Sequence, residues 1–298
     1  MEEELNYGGQ AIIEGVMMRG TQQVAMAVRT PEGDIRVRNE PLNQAIYAGP
    51  LAKIPVLRGL TMLWDALGIG MQALFWSAEV SAGEELEEGV LEGPAGWGLG
   101  ALSLGLGVVL FMVFPSLLVG WLPLPLSPLG ENVLEGLVRV GVIVGYIWAV
   151  GQMEDVERVF AYPGAEHKTI NAYEAGAPLT VEGVRSHTTS HPRCGTAFLL
   201  TVAVISILVT APLGRLSILG RVVSRILLLP LIAGLAYEFI RFSARHADSP
   251  WMRWMIRPNL LLQRITTREP DDGMLEVAIR ALRSVLEAER VEVQEQRA

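Results

Sequence analysis

The chain has 298 residues, half of them apolar, and its mean hydropathy of +0.34 is high for a soluble protein. Its net charge of -8 gives no signature of nucleic-acid binding, although arginine is dense after residue 240. Cys194 is the only cysteine, which excludes an intramolecular disulfide. The first thirty residues lack the pattern of a cleaved signal peptide.

Residues 1–53 predict a small element outside the membrane. Residues 7–20 contain four glycines, which would let the backbone turn tightly or approach another group closely. Residues 23–30 alternate apolar and polar side chains, residues 31–34 carry a turn signal, and residues 35–38 alternate again. This pattern predicts a β-hairpin.

Residues 54–96 predict an apolar helix followed by an acidic linker. Within 54–80 the polar side chains fall on one narrow stripe at helical spacing, which favours a helix lying in the membrane interface. A spanning helix that turns its stripe towards other helices is the alternative. Five glutamates between residues 84 and 92 then form the acidic linker.

Four stretches predict transmembrane helices, so the expected fold is a mainly α, polytopic membrane protein. The first pair, at 97–121 and 133–152, occupies the segment 97–152, and the second, at 195–213 and 216–240, occupies the segment 195–240. The residues from Trp97 to Leu126 include no charged side chain, and a helical run of that length crosses a hydrocarbon core of about 30 Å. Trp97 and Trp121 stand where the two interfacial aromatic belts are expected.

The distribution of basic residues predicts the orientation. The connection 122–132 has no lysine or arginine, whereas the loop 153–194 and the segment 241–298 are rich in them. Basic residues mark the cytoplasmic side, so we expect this loop and both termini to be cytoplasmic. The Arg-rich segment ends in a predicted amphipathic helix over 271–290, capped by Asp271 or Asp272.

Three arginines interrupt the predicted spans. Arg139, Arg221 and Arg225 lie within or near the outer ends of spans two and four. Snorkelling to the outer interface is the simpler interpretation, and a polar cavity between the helices is the other.

The reactive side chains concentrate in the loop 153–194. Glu166, His167 and Lys168 are consecutive in a helix-like stretch, and His191 and Cys194 precede the third span. We expect a helix start at residue 192, with His191 near the cap and Cys194 on the first turn, where the helix dipole favours thiolate. Imidazole, thiolate and carboxylate together suit a divalent metal such as zinc or iron, although the spacing matches no standard motif.

The remaining candidates are weaker. His187 lies in the same loop, Arg193 sits beside Cys194, and His246 follows the fourth span closely enough to approach them. Glu14 in the glycine-rich segment is a ligand or base, or simply a solvated loop carboxylate. All of the histidines and the cysteine also fit a role as interfacial caps and hydrogen-bonding groups.

Four ordered motifs together resemble the YqhQ-like bacterial membrane proteins, a family of unknown function described as predicted metal-dependent enzymes. The motifs are GGQAIIEGVMMRG at 8–20, GAEHKTINAYEAG at 164–176, HPRCGTAFLL at 191–200 and LQRITTREPDD at 262–272. The resemblance supports Glu14, Glu166, His167, Lys168, His191, Arg193 and Cys194 as site residues. Family members often have histidine where this chain has Pro163, which removes one potential ligand here. The resemblance also implies the inner (cytoplasmic) membrane of a bacterium.

Two functional hypotheses follow. In the first, the protein is a metal-dependent, hydrolase-like enzyme at the cytoplasmic membrane surface. His167, His191 and Cys194 would hold the metal, and Glu166 and Lys168 would act as catalytic residues. In the second, it is a non-catalytic scaffold that docks a membrane or cytoplasmic protein partner through the N-terminal hairpin and the Arg-rich C-terminal segment. The lipid bilayer is a partner under both hypotheses.

Overall fold

The computed structural model describes residues 7–43, 46, 49–83, 93–123, 125–191, 194–214, 216–246 and 249–295. In these residues the chain is mainly helical, with one small antiparallel sheet near the N-terminus. Three helices are long and apolar enough to cross a membrane. The predicted fold class is confirmed.

The sheet is a four-stranded meander in the order β1–β2–β3–β4. Its strands are β1 (Gly8–Ile12), β2 (Gly15–Arg19), β3 (Gln23–Arg29) and β4 (Ile35–Pro41). The predicted hairpin is β3–β4, with Ala27 opposite Val37. The glycine-rich segment is a second hairpin, β1–β2, which the sequence analysis did not predict. A Cβ atom at Gly15 would lie 2.3 Å from the Ala27 carbonyl oxygen, so the neighbouring strand requires glycine there.

The helices are numbered in chain order, and a short 3-10 turn, Pro50–Lys53, precedes the first. They are α1 (Leu57–Ala82), α2 (Pro94–Val108), α3 (Phe114–Trp121), α4 (Pro128–Val150), α5 (Glu154–Val159), α6 (Tyr162–Glu174), α7 (Val181–Arg185), α8 (Gly195–Thr210), α9 (Ile218–Arg245), α10 (Pro250–Thr266) and α11 (Asp272–Glu295). A π-helical turn, Val109–Val113, joins α2 to α3, and a 3-10 turn, Ala211–Leu213, follows α8.

The span candidates are α2–α3 together, α4 and most of α9, and an apolar helix over Phe198–Leu213 is shorter. α8 packs against both α4 and α9. A Cβ at Gly136 would lie 2.0 Å from Cγ1 of Ile207, so the glycine allows α4 and α8 to approach closely. Ser127 and Ser217 cap α4 and α9, each accepting a hydrogen bond from the backbone N–H three residues later. The predicted spans therefore correspond to these helices, the third being the shortest.

The sheet is covered on both faces. Val16, Met18 and Ala27 on one face pack against α6 and α11. Met17 and Met26 on the other face pack with Ala73 and Val80 of α1. The strict alternation of the strand positions sends consecutive methionines to opposite cores.

Helix α1, which was predicted to lie in the membrane interface, packs against two other parts of the protein. Its C-terminal half covers the sheet, and its N-terminal half packs against α9, where Arg58 forms a bidentate ion pair with Glu238. Gly59 contacts the Tyr237 ring closely, since a Cβ there would lie 3.0 Å from it. α1 therefore joins the sheet to the helical bundle, and its large apolar side chains such as Trp64 stay exposed.

Helix α11 confirms the predicted amphipathic helix and extends it to Glu295. The Asp271 carboxylate accepts a hydrogen bond from the Met274 backbone N–H at 2.8 Å, which is the expected cap. Near the other end of α11, Glu289 accepts hydrogen bonds from the Tyr7 hydroxyl (2.8 Å) and from the backbone N–H groups of Thr21 (2.5 Å) and Gln22 (3.0 Å). Burial alone would raise the pKa of Glu289, but these hydrogen bonds outweigh it and the pKa is lowered.

The first prediction concerns Glu289. Because its folded pKa lies below the usual value of 4.5, its ionised form stabilises the fold above that pH, and the contribution is lost as the pH falls through the folded pKa. We expect Glu289→Gln to lower the free energy of unfolding at neutral pH by about 1–3 kcal/mol. The difference from wild type should shrink as the pH falls below about 4.5. Thermal unfolding in detergent, followed by tryptophan fluorescence, measures it.

Glu287→Gln is the matched control, because Glu287 lies on the exposed face of the same helix. It should leave the midpoint within experimental error at every pH. Equal losses in the two variants would contradict the anchoring role of Glu289.

Candidate functional site

Helix α6 is the centre of the candidate site. It begins with Tyr162 and Pro163, and almost every side chain from Tyr162 to Ala172 is buried, including the ionisable Glu166, His167 and Lys168. A Cβ at Gly164 would lie 2.2 Å from the Arg268 carbonyl oxygen, so this glycine lets the segment after α10 close over the helix. The second and fourth sequence motifs meet here.

Glu166 faces the glycine-rich hairpin. A Cβ at Gly9 would lie 2.9 Å from Cγ of Glu166, and the Gly9 backbone N–H donates a hydrogen bond to its carboxylate. Burial raises the pKa of Glu166 to about 7 and the neighbouring Cys194 adds to the rise, while His167 and the Gly9 hydrogen bond oppose it. A carboxyl group with this pKa exists in both protonation states near neutral pH, which is the property of a proton-transfer group.

His167 is completely buried, and its two ring nitrogens differ. Nδ1 lies 2.6 Å from the Thr189 carbonyl oxygen. A carbonyl oxygen can only accept, so Nδ1 carries a proton, and in the neutral ring Nε2 presents a lone pair. Nε2 is buried and has no hydrogen-bond partner within the described part of the chain. Burying a polar atom without a hydrogen bond costs free energy, so such an atom in a native protein calls for an explanation such as a ligand or a catalytic role.

His191 is held through its backbone. Gln263 of α10, itself buried, accepts from the His191 N–H (3.0 Å) and donates to the His191 carbonyl (2.8 Å). The His191 ring lies 5.9 Å from the His167 ring, centroid to centroid, and its Nε2 is 3.7 Å from Glu174. This two-way hydrogen bond from one amide side chain fixes the loop before α8.

Cys194 corrects the predicted helix start. α8 begins at Gly195, and Cys194 is the N-cap, with an extended backbone (φ -61°, ψ 139°). The backbone N–H of Cys194 donates to the His191 carbonyl at 3.3 Å, and this hydrogen bond precedes the helix. His191 and Cys194 are therefore not on one helical turn, although both are buried and the third motif does meet α6.

Lys168 is buried, but its partners lie outside the cluster of Glu166, His167, His191 and Cys194. Its Nζ donates to the Arg185 carbonyl (2.7 Å) and lies 2.5 Å from the Glu269 carboxylate. The ammonium group links α7 and the segment after α10 to α6. This placement suits a residue that positions the helix.

The other predicted residues lie apart from this cluster or outside the described residues. Glu14 occupies the turn of the β1–β2 hairpin with φ +47°, and Arg158 binds its carboxylate at 2.6 and 2.7 Å, so its pKa is lowered chiefly by those hydrogen bonds. His246 is exposed at the end of α9 with Nδ1 2.9 Å from the Phe242 carbonyl, and His187 is half-buried after α7. Arg193 lies outside the described residues.

The metal hypothesis requires several ligand side chains to lie close together. Among the described residues, no three His, Cys, Asp or Glu side chains stand close enough together to hold a metal ion. One side chain, His167, nonetheless has the hydrogen bonding that is typical of a ligand histidine. A ligand histidine usually donates its other ring N–H to a carbonyl or carboxylate, as His167 does to Thr189.

Two residues that support the site were not singled out from the sequence. Gln263 lies in the fourth motif, and Asn171 of α6 donates to the carbonyl oxygens of Thr188 (2.8 Å) and Ser190 (3.2 Å). Both hold backbone of the loop before α8, and no local pattern identifies such long-range contacts. The one signal that the sequence offered was Gln263, a polar side chain on the apolar face of an amphipathic helix.

Comparison with known proteins places the sequence in a family. Residues 54–288 match the family described as "Protein of unknown function (DUF1385)". The chain is 31% identical over 303 residues to "Uncharacterized protein YqhQ" of Bacillus subtilis (strain 168), covering 98% of this chain and 95% of that protein. No solved structure matches the chain.

The second prediction tests the contact between the first two motifs. Gly9→Ala should lower the free energy of unfolding by about 1–3 kcal/mol, because the new Cβ would overlap Glu166 and the Met17 carbonyl oxygen. Gly8→Ala is the matched control in the same strand, since a Cβ there meets nothing within 4 Å. Thermal unfolding of both variants in detergent checks this. A cost at Gly8 equal to that at Gly9 would contradict the packing.

Proposed function

The chain belongs to the YqhQ-like family of proteins of unknown function (DUF1385), and we propose that it is a metal-dependent membrane enzyme of the hydrolase type. His167, His191 and Cys194 form its metal site and Glu166 is its proton-transfer residue. The observation that supports the proposal is the buried Nε2 of His167, which has no hydrogen-bond partner among the described residues while Nδ1 is fixed on the Thr189 carbonyl.

The residues would divide the chemistry as follows. A bound divalent cation, zinc or iron, supplies a Lewis acid that lowers the pKa of water and polarises a scissile bond. Thr189 orients the His167 ring, and Gln263 fixes the backbone of His191. Glu166, held by the Gly9 N–H in an enclosed position, takes up a proton from the attacking water and returns it to the leaving group. Lys168, which was predicted to be catalytic, is proposed as a positioning residue because two oxygens already hold its ammonium group.

The position of the cluster supports a substrate at the membrane surface. Cys194 directly precedes the apolar helix α8, and Gln263 belongs to α10, whose exposed side chains include Trp251 and Trp254. Tryptophan is typical of the membrane interface. We therefore propose that the substrate presents its scissile group at the headgroup level, on the side that the basic residues mark as cytoplasmic.

The scaffold hypothesis has less support from the contacts. Its two docking elements were the N-terminal hairpin and the Arg-rich C-terminal segment, and both faces of the sheet that contains the hairpin are packed, one by α1 and the other by α6 and α11. The cluster on α6 would then serve only to fold the loop before α8. Measurement of the metal content separates the enzyme hypothesis from the scaffold hypothesis.

The third prediction is the metal content. Protein purified in detergent with a tag that binds no metal should contain stoichiometric zinc or iron by elemental mass spectrometry. His167→Ala and Cys194→Ala should lose it, and their thermal midpoints should become insensitive to a chelator. His246→Ala is the control, because that exposed ring lies outside the cluster. Glu166→Gln should keep the metal and abolish hydrolytic activity.

A wild-type protein without metal, together with wild-type stability in His167→Ala, His191→Ala and Cys194→Ala, would reject the enzyme. The scaffold would then be the remaining hypothesis.

The fourth prediction is the orientation. A reporter fused after residue 298 or inserted near Pro178 should report the cytoplasm, and one inserted near Ser127 should report the outside. Alkaline phosphatase and green fluorescent protein fusions give opposite signals on the two sides, so each position is tested twice. An external signal near Pro178 would move the candidate site to the other compartment.

A further inference from the structure

Helix α10 carries an exposed surface that is partly basic and partly apolar. Its buried face carries Met252, Ile256 and Gln263 and packs against α8 and α4. On the exposed side lie three arginines and four large apolar side chains. We call them the α10 surface, and they are Arg253, Arg257 and Arg264 together with Trp251, Trp254, Met255 and Leu261.

The three arginines of the α10 surface form one stripe along the helix. At about 3.6 residues per turn, positions 253, 257 and 264 fall within an arc of about 40°. All three are exposed, and none of their guanidinium groups forms an ion pair within the described part of the chain. Residues 249–268 contain no aspartate or glutamate, although the whole chain has a net charge of -8. α10 therefore presents a local excess of positive charge.

The arginines within the spans are different, because they have carboxylate partners. Arg139, Arg221 and Arg225 are buried, and each forms an ion pair with Glu131 or Glu135. They point at these carboxylates inside the bundle instead of snorkelling to the outer interface. The stripe on α10 has no such partner among the described residues, so it is available to an anion from outside the chain.

Both ends of α10 lie at the same end of the helical bundle. α10 follows α9 directly, and the Trp251 ring lies 6.0 Å from the Phe242 ring of α9, centroid to centroid. Near its other end, Gln263 binds the backbone of His191, four residues before α8 begins. α8 and α9 pack together and are joined by the short connection 211–217, so the start of α8 and the end of α9 are on the same side. α10 therefore lies where the bundle leaves the bilayer.

We propose that the α10 surface binds anionic phospholipids of the leaflet at this end of the bundle. Trp254 and Leu261 enter the acyl region, and the arginine stripe beside them contacts the headgroup phosphates, whose geometry matches a guanidinium fork. A lipid surface is favoured over a protein partner because Phe242, the neighbour of Trp251, is an exposed residue of a spanning helix. The apolar side of α10 thus continues onto a surface that lipid covers. This inference does not depend on the proposed metal chemistry.

Lipid-dependent stability tests the proposal, because a ligand that binds the folded protein raises its thermal midpoint. Purified full-length protein in neutral detergent is titrated with phosphatidylglycerol, with phosphatidylcholine or with inorganic phosphate. We expect phosphatidylglycerol to raise the midpoint more than phosphatidylcholine does, and inorganic phosphate to have no effect. The difference between the two lipids should shrink in about 0.5 M salt, which screens the charges.

Substitution of the arginines locates the effect. Each of Arg253→Gln, Arg257→Gln and Arg264→Gln should weaken the apparent affinity for phosphatidylglycerol about fivefold, and the triple variant should lose the preference over phosphatidylcholine. Because these side chains are exposed, the variants should keep the wild-type midpoint in the absence of lipid. Arg280→Gln changes an exposed arginine on α11 and is the control, which should leave the preference unchanged.

A preference for phosphatidylglycerol that survives in the triple variant, or that Arg280→Gln removes to the same extent, would overturn the proposal. So would the absence of this preference in the wild-type protein, a result that requires no variant to fold. An equal shift with inorganic phosphate would overturn the lipid as the source of the anion. A dimer in detergent that Trp254→Ala converts to a monomer, without any lipid preference, would assign the surface to a second copy of the chain.

Discussion

The enclosure of α6 is the constraint on which the rest of the soluble part depends. A helix that carries Glu166, His167 and Lys168 into a buried position needs partners for each of them. The hairpin supplies the Gly9 N–H, the loop before α8 supplies the Thr189 carbonyl, and the segment after α10 supplies Glu269. The four sequence motifs are far apart in the chain, and this helix explains why they converge.

The same constraint links the soluble part to the membrane bundle. Gln263 on α10 binds the backbone of His191, and Cys194 at the start of α8 lies beside Glu166, so α8 and α10 contribute directly to the candidate site. On the other side of the sheet, α1 packs on β-strands at one end and forms the Arg58–Glu238 ion pair at the other. The sheet is therefore attached to the bundle through two separate routes.

Local pattern predicted the features that depend on local physics. Long apolar runs predicted the spans, alternation predicted the β3–β4 hairpin, and a 3.6-residue period with an aspartate cap predicted α11. The β1–β2 hairpin was not predicted because its glycines interrupt the alternation of apolar and polar side chains. These glycines allow the backbone to approach Glu166 and the Ala27 carbonyl closely. The start of α8 was placed too early because proline at a first turn is only a tendency.

The candidate site was predicted as a set of residue types, and its geometry could not be. The sequence placed Glu166, His167, His191 and Cys194 in one loop. The tautomer of His167, however, depends on a carbonyl group twenty-two residues away. The backbone of His191 is held by a glutamine seventy-two residues away. The pairing of Glu131 with Arg221 spans ninety residues. Such contacts follow from the tertiary fold alone.

The pairing of the N-terminal sheet with α11 has a consequence for biosynthesis. The face of the sheet that carries Val16 and Met18 is covered mainly by residues from the last helix, and Tyr7 bonds to Glu289 across 282 positions of sequence. A ribosome makes the strands before α11, with the spans entering the bilayer in between. The apolar face of the sheet must therefore stay uncovered by α11, shielded by another factor or by the membrane itself, until α11 has been translated.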